Sequence, residues 1–487
     1  MTFPALLEDT LPVARTHAEM LCAVTGHRVA ATDGVLKDLR LSDYPSTTPQ
    51  LLCEILMKMT SRVFDQLRQV EAEVETASEN NLKLLTTQIH LLNDILNRIG
   101  KTAETVMRAR TELNVTSLVR SLETIVEQIS RESVLIVHPQ WGTNYTYREL
   151  VGPLREVTEA LASEAERVIF RGYPQRFVVL TFPLVDKDLI LHNAVLAHEL
   201  GHFVDEVHAI TEYVTKQAIL DQELVEAIYS SELIERRGEE PRKVHSEVLV
   251  KALQLVNRWI QELVADVVGV CLLGPAMILA FEPIVLALQS LDREHGAYPP
   301  PRVRLSIMLK QLETIASVND WGWTSATVNG NAYVVESVKE HFAHLQALAS
   351  LPVGEAKNPY VRLGLRAVER SWPHIQQKVG ELSGNNWYWQ PEYIRDAFRL
   401  TELLTYDLPP SEFPEGGTRL TLPSMQAILN AGWFYFLSYR ADNQYFRNHL
   451  RGDVYDQFLR INRLVAKAIE VVQVSREYRQ RKGNRDD

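Results

Sequence analysis

The sequence predicts a predominantly α-helical α+β protein with a small sheet near its centre. Three observations carry this. Apolar residues recur at helical spacing through the first 130 positions, short β-branched runs interrupt the pattern between 133 and 182, and helical periodicity then resumes for most of the remaining chain.

The N-terminal helices are read from three stretches. Leu51–Leu67, Leu82–Ile99 and Leu118–Ile129 each place apolar side chains three and four apart, as a bundle requires. The strands are read from Val134–Val137, Val168–Phe170 and Phe177–Phe182, separated by turn residues and ended by Pro139 and Pro183. A strong helical pattern then covers Asp188 to about Ile210, and another covers Val244 to Val270, with the polar loop Glu235–Lys243 between them. Residues His295–Pro301 break the chain, and helices dominate from Arg302 onward. The reading therefore has three regions: 1–130 helical, 131–315 mixed and carrying the chemistry, 316–487 helical.

Composition narrows the function. The chain has 487 residues, 46% hydrophobic and 23% charged, as a soluble globular protein does. A net charge of -11 argues against a nucleic-acid binder, which carries a basic patch. The three cysteines, Cys22, Cys53 and Cys271, lie far apart and fit a reducing compartment. The first twenty residues lack a basic then apolar secretory pattern. The apolar run Val267–Phe281 is short of the ~20 residues a membrane helix needs and contains Pro275, so a buried helix is expected. A cytoplasmic protein without a transmembrane segment follows as the expectation.

Positions 198–202 read His-Glu-Leu-Gly-His. Two histidines four apart on a helix share one face and can reach one zinc ion. The glutamate beside the first, Glu199, can act as general base toward a water that the zinc acidifies. Gly201 gives up about 1 kcal/mol of helix propensity, which a close approach by another backbone would explain. A catalytic zinc needs a third ligand, and Glu262 in Glu262-Leu263-Val264-Ala265-Asp266 is assigned that place. Asp266, one turn further, would accept the free N–H of a ligand histidine and fix its tautomer. One zinc per chain is the expected cofactor.

HELGH followed by ELVAD resembles the gluzincin pattern of metallopeptidases. It is most similar to the CAAX prenyl endopeptidases and their heat-shock-type and soluble relatives, over roughly residues 165–315. The resemblance implies a zincin-like core with a small sheet beside the metal helix. It also implies zinc-dependent endopeptidase activity, with His198, His202 and Glu262 as ligands, Glu199 as base and Asp266 as orienting residue. That family carries a later histidine, followed six residues on by an arginine, to hold the substrate carbonyl. Here Arg304 stands in the arginine's place and Tyr298 in the histidine's, with His295 as a rival. A tyrosine hydroxyl can still donate to a developing oxyanion. Phe177–Phe182 is expected to be the edge strand that pairs with an extended peptide. The helical regions on either side are expected to cover the cleft or recruit a protein partner.

Two other classes share some of these features. A zinc-dependent amidohydrolase acting on non-peptide amides would use the same metal site. A helical binding or scaffold protein would keep a structural or inactive zinc, for which Glu199 would serve no purpose. Among the remaining aromatics, Trp387-Tyr388-Trp389 is a candidate binding surface beside Asn385-Asn386.

Overall fold

The computed structural model describes residues 10–150, 174, 176–217, 220–288, 298–316, 332–350, 356, 358–414, 420–440 and 453–483. Helices dominate, with one three-stranded sheet and one two-stranded sheet. The expected strand Val168–Phe170 and the candidate His295 lie outside the described residues. Contacts gather the chain into two units.

The first unit comprises residues 1–119, 132–140 and 148–181. Its core is a bundle of α1 (Thr10–Arg40), α2 (Thr48–Val74) and α3 (Glu79–Arg108). In α3, Leu82, Leu85, Ile89, Leu92, Leu96, Ile99 and Val106 are all buried, which is the three-and-four spacing that buries one face. Asn93 donates to Thr25 at 2.7 Å, and Arg15 donates to the Ala77 carbonyl at 3.2 Å, so α1 and α3 run parallel. The same apolar cluster takes in Ile136 of β1 (Ser133–Gln140) and Phe177 and Val179 of β3 (Arg176–Pro183). The helix α4 (Thr116–Ile129) follows the bundle in sequence.

The three-stranded sheet has the order β1-β3-β2, where β2 is Thr146–Glu149. This corrects the expectation for Phe177–Phe182. That strand is central, with both edges paired, and all seven of its positions after Arg176 are buried. A strand hydrogen-bonded on both sides has no free edge for a peptide.

The second unit comprises residues 120–131, 141–147 and 182–487. Two helices cross at its centre: α5 (Leu196–His208) and α8 (Pro241–Leu273). The helical pattern read from Asp188 onward is only partly α-helix, since His192–Val195 form a 3-10 turn before α5 begins. Leu196, Ala197, Leu200, Phe203 and Val204 are buried, so α5 is fixed from its apolar side while its histidines face the other way. After α5 come α6 (Ile210–Thr215) and α7 (Gln222–Glu235). Asp205 anchors the α5–α6 junction by accepting from the Thr211 backbone N–H and hydroxyl, both at 2.6 Å. Ala209 at that junction has a left-handed φ of 50°, a strain those two bonds offset.

The apolar run Val267–Phe281 is the buried end of α8, a turn at Gly274 and the start of α9 (Pro275–Leu288). Gly274 has φ 60° and lies against the Trp389 ring, where a Cβ would come within 2.5 Å. Trp389 donates its backbone N–H to the Cys271 carbonyl at 2.7 Å. Trp387, Tyr388 and Trp389 are thus buried at the end of α8 and form no binding surface. The rest of the unit is α10 (Pro301–Ile315), α11 (Ala332–Ser350), α12 (Pro359–Gly380), α13 (Glu392–Thr405), α14 (Met425–Arg440) and α15 (Val454–Gly483), with the short pair β4 (Phe413–Pro414) and β5 (Leu420–Thr421). The aromatic stretch at 432–440 lies within α14, with Trp433, Phe434 and Tyr435 buried. Trp433 of α14 and Asn462 of α15 both hydrogen-bond the Leu191 backbone, which holds the turn leading into α5. No helix among the described residues is long and apolar enough to cross a membrane.

Candidate metal centre and cleft

Helices α5 and α8 approach more closely than side chains normally permit. A Cβ built on Gly201 would lie 2.4 Å from the Ala265 carbonyl oxygen. Gly269, further along α8, gives similar clearance to the His198 backbone nitrogen, at 3.2 Å from its own notional Cβ. The helix propensity lost at Gly201 is therefore explained by a backbone crossing. That crossing carries Glu262 and Asp266 to the face of α5 that bears the histidines.

The side-chain atoms of His198, His202 and Glu262 that can ligate a metal all lie within 4.8 Å of one another. The two imidazole centroids are 4.8 Å apart with planes at 80°. Glu262 Oε2 lies 3.5 Å from His198 Nε2. These three side chains can hold a metal ion: two neutral nitrogens and one carboxylate, on rigid helices, with ligand atoms converging on one point.

Behind the ligands sits a buried pair of charges. Asp266, fully buried, takes the His198 Nδ1 at 2.9 Å. Arg304 of α10 grips the same carboxylate with Nε and a terminal nitrogen, both at 2.7 Å. Its guanidinium lies 4.6 Å over the Phe281 ring and 3.7 Å from Glu262. Such a two-pronged arginine–carboxylate contact fixes orientation as well as charge. Asp266 thereby sets the tautomer of His198, with Nδ1 donating and Nε2 turned toward Glu262.

The electrostatics follow from this arrangement. Burial alone would lower the His198 imidazole, but its contacts with Asp266 and Glu262 raise it to about 10, so these carboxylates favour positive charge at the ring. Burial opposes the Glu262 charge, yet His198 and Arg304 hold that carboxyl down to about 2. Asp266 is likewise held at about 2 against burial, chiefly by Arg304. His202 is pushed down to about 4 by burial and by the neighbouring His198 charge. Glu199 goes the opposite way. Burial raises it, and the Glu262 charge adds to the rise, while His198 and Arg304 oppose it. A backbone hydrogen bond from Tyr147 reaches the Glu199 carboxylate. A carboxylate with raised proton affinity is suited to accept and return a proton.

The site opens into a cleft of about 1150 Å³. His198, Glu199, His202, Glu262, Tyr298 and Arg304 all line it. Tyr298 is 40% exposed, and its hydroxyl oxygen accepts from Arg258 at 2.8 Å, which leaves the tyrosine proton free to be donated. Arg304 lines the cleft, but its guanidinium is directed at Asp266.

Three residues in or beside the cleft escaped sequence reasoning. Arg258 lies four before Glu262 on α8, so the shared helical face could have flagged it. Glu206 lies four after His202 on α5, where the same rule applies. Tyr147, whose ring stacks toward His202 at 6.4 Å and 23°, had no signal, since a four-residue strand 55 positions upstream carries no periodicity pointing to the metal motif.

In comparisons with known protein families, with curated proteins and with solved structures, nothing matches this chain.

Proposed function

We propose that the chain is a zinc-dependent endopeptidase with a zincin-like core at the crossing of α5 and α8. The observation that carries the reading is the convergence of His198, His202 and Glu262 beside Glu199 in one wide cleft. Two imidazoles and a carboxylate form the ligand set of many catalytic zinc sites, and three protein ligands leave a position for water or substrate. Zinc bound there would supply Lewis acidity, polarising a carbonyl and bringing a water's pKa to ~7.

The chain's own residues do the rest. Glu199 takes the proton of the attacking water and delivers it to the leaving amine. Tyr298 donates its hydroxyl proton to the carbonyl oxygen as negative charge develops. Arg304 acts as a positioning residue, holding Asp266 and through it the His198 ring. The substrate is an extended peptide. It lies along residues 143–147, which line the cleft and run into the edge strand β2, in the role that Phe177–Phe182 cannot fill. Cys22, Cys53 and Cys271 are free and buried, which supports a reducing compartment such as the cytoplasm.

The test combines metal analysis with a peptide-library or casein assay. Wild type is expected to carry one zinc and cleave. His202→Ala should lose both, and Glu199→Gln should keep zinc and lose turnover. Near-normal proteolysis by Glu199→Gln would overturn the assignment of the base. Zinc with hydrolysis of small amides but not peptides would replace the peptidase with an amidohydrolase.

A further inference from the structure

Beyond the candidate metal ligands, the cleft bears a charge that the proposed hydrolysis does not use. Five carboxylates line the cleft: Glu199, Asp205, Glu206, Glu212 and Glu262. Glu199 and Glu262 belong to the reacting centre. Asp205 is committed to Thr211. Glu212 is paired with Lys216 at 2.5 Å. Among the described residues, Arg304 is the one lysine or arginine that lines the cleft, and it is bound to Asp266; Arg258, beside the lining, is bonded to the Tyr298 hydroxyl. Glu206 differs from all of these. It is exposed, and among the described residues its contact is the hydroxyl of Tyr147, a neutral donor that does not offset the negative charge.

Position sharpens the point. Glu206 is one helical turn beyond His202, about 6 Å along α5, on the face that bears the ligands. Tyr147 lines the cleft beside it, one side of its ring toward His202 and Phe203. Thr143, Thr146, Asn257 and Gln261, which line the same cleft, are polar and neutral. A carboxylate next to an aromatic ring receives a cation by ion pairing and by the ring's electron-rich face together.

We infer that Glu206 and Tyr147 form a subsite for a lysine or arginine side chain, so that the cleft takes basic peptides. This rests on the peptidase reading of the cleft for what the ligand is, but not for whether the cation is bound. A cationic side chain seated there would lie within a residue or two of the scissile bond, because Glu206 is a single turn from a metal ligand. An acidic peptide would meet the Glu206 charge and be repelled.

The experiment measures binding separately from turnover. Zinc-loaded Glu199→Gln protein is titrated into three fluorescein-labelled peptides that differ only in central residues: lysine, glutamine or glutamate. The lysine peptide is expected to bind about tenfold tighter than the glutamine peptide, and the glutamate peptide weaker than both. Adding Glu206→Gln should erase the lysine preference while leaving the glutamine peptide unchanged, and Glu206→Lys should invert it. Zinc content and far-UV circular dichroism of each variant check that the fold is intact. Equal affinity for all three peptides, no binding of any, or a lysine preference that survives Glu206→Gln would overturn the subsite. Wild type that binds the lysine peptide by this pattern but fails to cut it would overturn the peptidase reading and leave the subsite standing.

Discussion

The carbonyl oxygen of Ala265 occupies the space that a side chain at position 201 would need: a Cβ there would lie 2.4 Å from it and 2.6 Å from the Ala265 Cα. Both contacts are with backbone, so no rotamer change relieves them. Gly201→Ala is therefore expected to push α5 and α8 apart rather than simply improve helix propensity. Overpacking of this kind costs about 1–3 kcal/mol. The shift also separates Glu262 from the two histidines, so zinc occupancy should fall along with stability. Denaturant unfolding and metal analysis of the same preparation check this. A stabilised variant with full zinc content would show that the helices are not held at this distance.

Asp266 answers two cationic groups at once, the His198 ring and the Arg304 guanidinium. Asp266→Asn keeps the shape and removes the charge, which leaves Arg304 with the more distant carboxylates of Glu262 and Glu199. Breaking a buried pair in this way costs about 3–5 kcal/mol. Loss of the partner that orients a ligand histidine weakens metal affinity by about 10–100-fold. Arg304→Met should be milder for metal binding, since Asp266 still accepts from His198. Zinc competition with a chromophoric chelator would rank the variants, and equal affinities would remove Asp266 from its orienting role.

His138 provides a pH signature in the first unit. It is 3% exposed on β1, its Nδ1 bonds the Pro139 carbonyl at 2.9 Å, and its Nε2 finds no partner among the described residues. Burial, with Arg148 and Arg108 adding to it, pushes the ring down to about 4 from an ordinary 6.5. The unfolded chain thus takes a proton at pH 6.5 that the folded chain refuses until about pH 4. The contribution is intact above pH 6.5 and is lost progressively as pH falls through that window. The full loss is on the order of 3 kcal/mol. His138→Gln should flatten this part of the stability–pH curve, read from urea unfolding at pH 7 and pH 4.5. An unchanged acid limb would place the sensitivity elsewhere.

How much could be read in advance depended on whether the signal was local. His198, His202, Glu262 and Asp266 were legible because each pair sits four apart on one helix, and the burial of α5 and α8 follows from the apolar residues around them. Even the oddity of Gly201 was readable as a demand for close approach, though not which backbone would make it. Helices α2, α3 and α4 were legible for the same reason of periodicity, whereas no stretch within α1 had been singled out. What failed was tertiary. Phe177–Phe182 was visible as a strand, but its place between β1 and β2 depends on which strands pair, and the unbroken apolar run Phe177–Leu180 is the sequence trace of a centre rather than an edge. Trp387-Tyr388-Trp389 looked like a surface because polar residues flank it, yet the bare turn at Gly274 gives the rings a place to bury. Tyr147 reaches the site from a distant element with nothing nearby to announce it, while Arg304 was named through the resemblance alone and is directed at Asp266.

A metal bound by this cluster must also stabilise the fold, because the ligands come from two helices that the unfolded chain does not hold together. His198 and His202 stand on α5 and Glu262 on α8, with all their ligating atoms within 4.8 Å. A ligand that binds only the folded state adds about 4 kcal/mol when its concentration is a thousand times Kd. Adding zinc to chelator-treated protein is therefore expected to raise the thermal midpoint by several degrees. Glu199→Gln should show the same rise, since its carboxylate is not among the ligands, and His202→Ala should show little. Magnesium should be a poor substitute, because it prefers six oxygen ligands and this site offers two nitrogens. Differential scanning calorimetry separates these cases. A midpoint that ignores zinc in wild type, or that rises equally in His202→Ala, would mean that the three side chains meet for a reason other than metal.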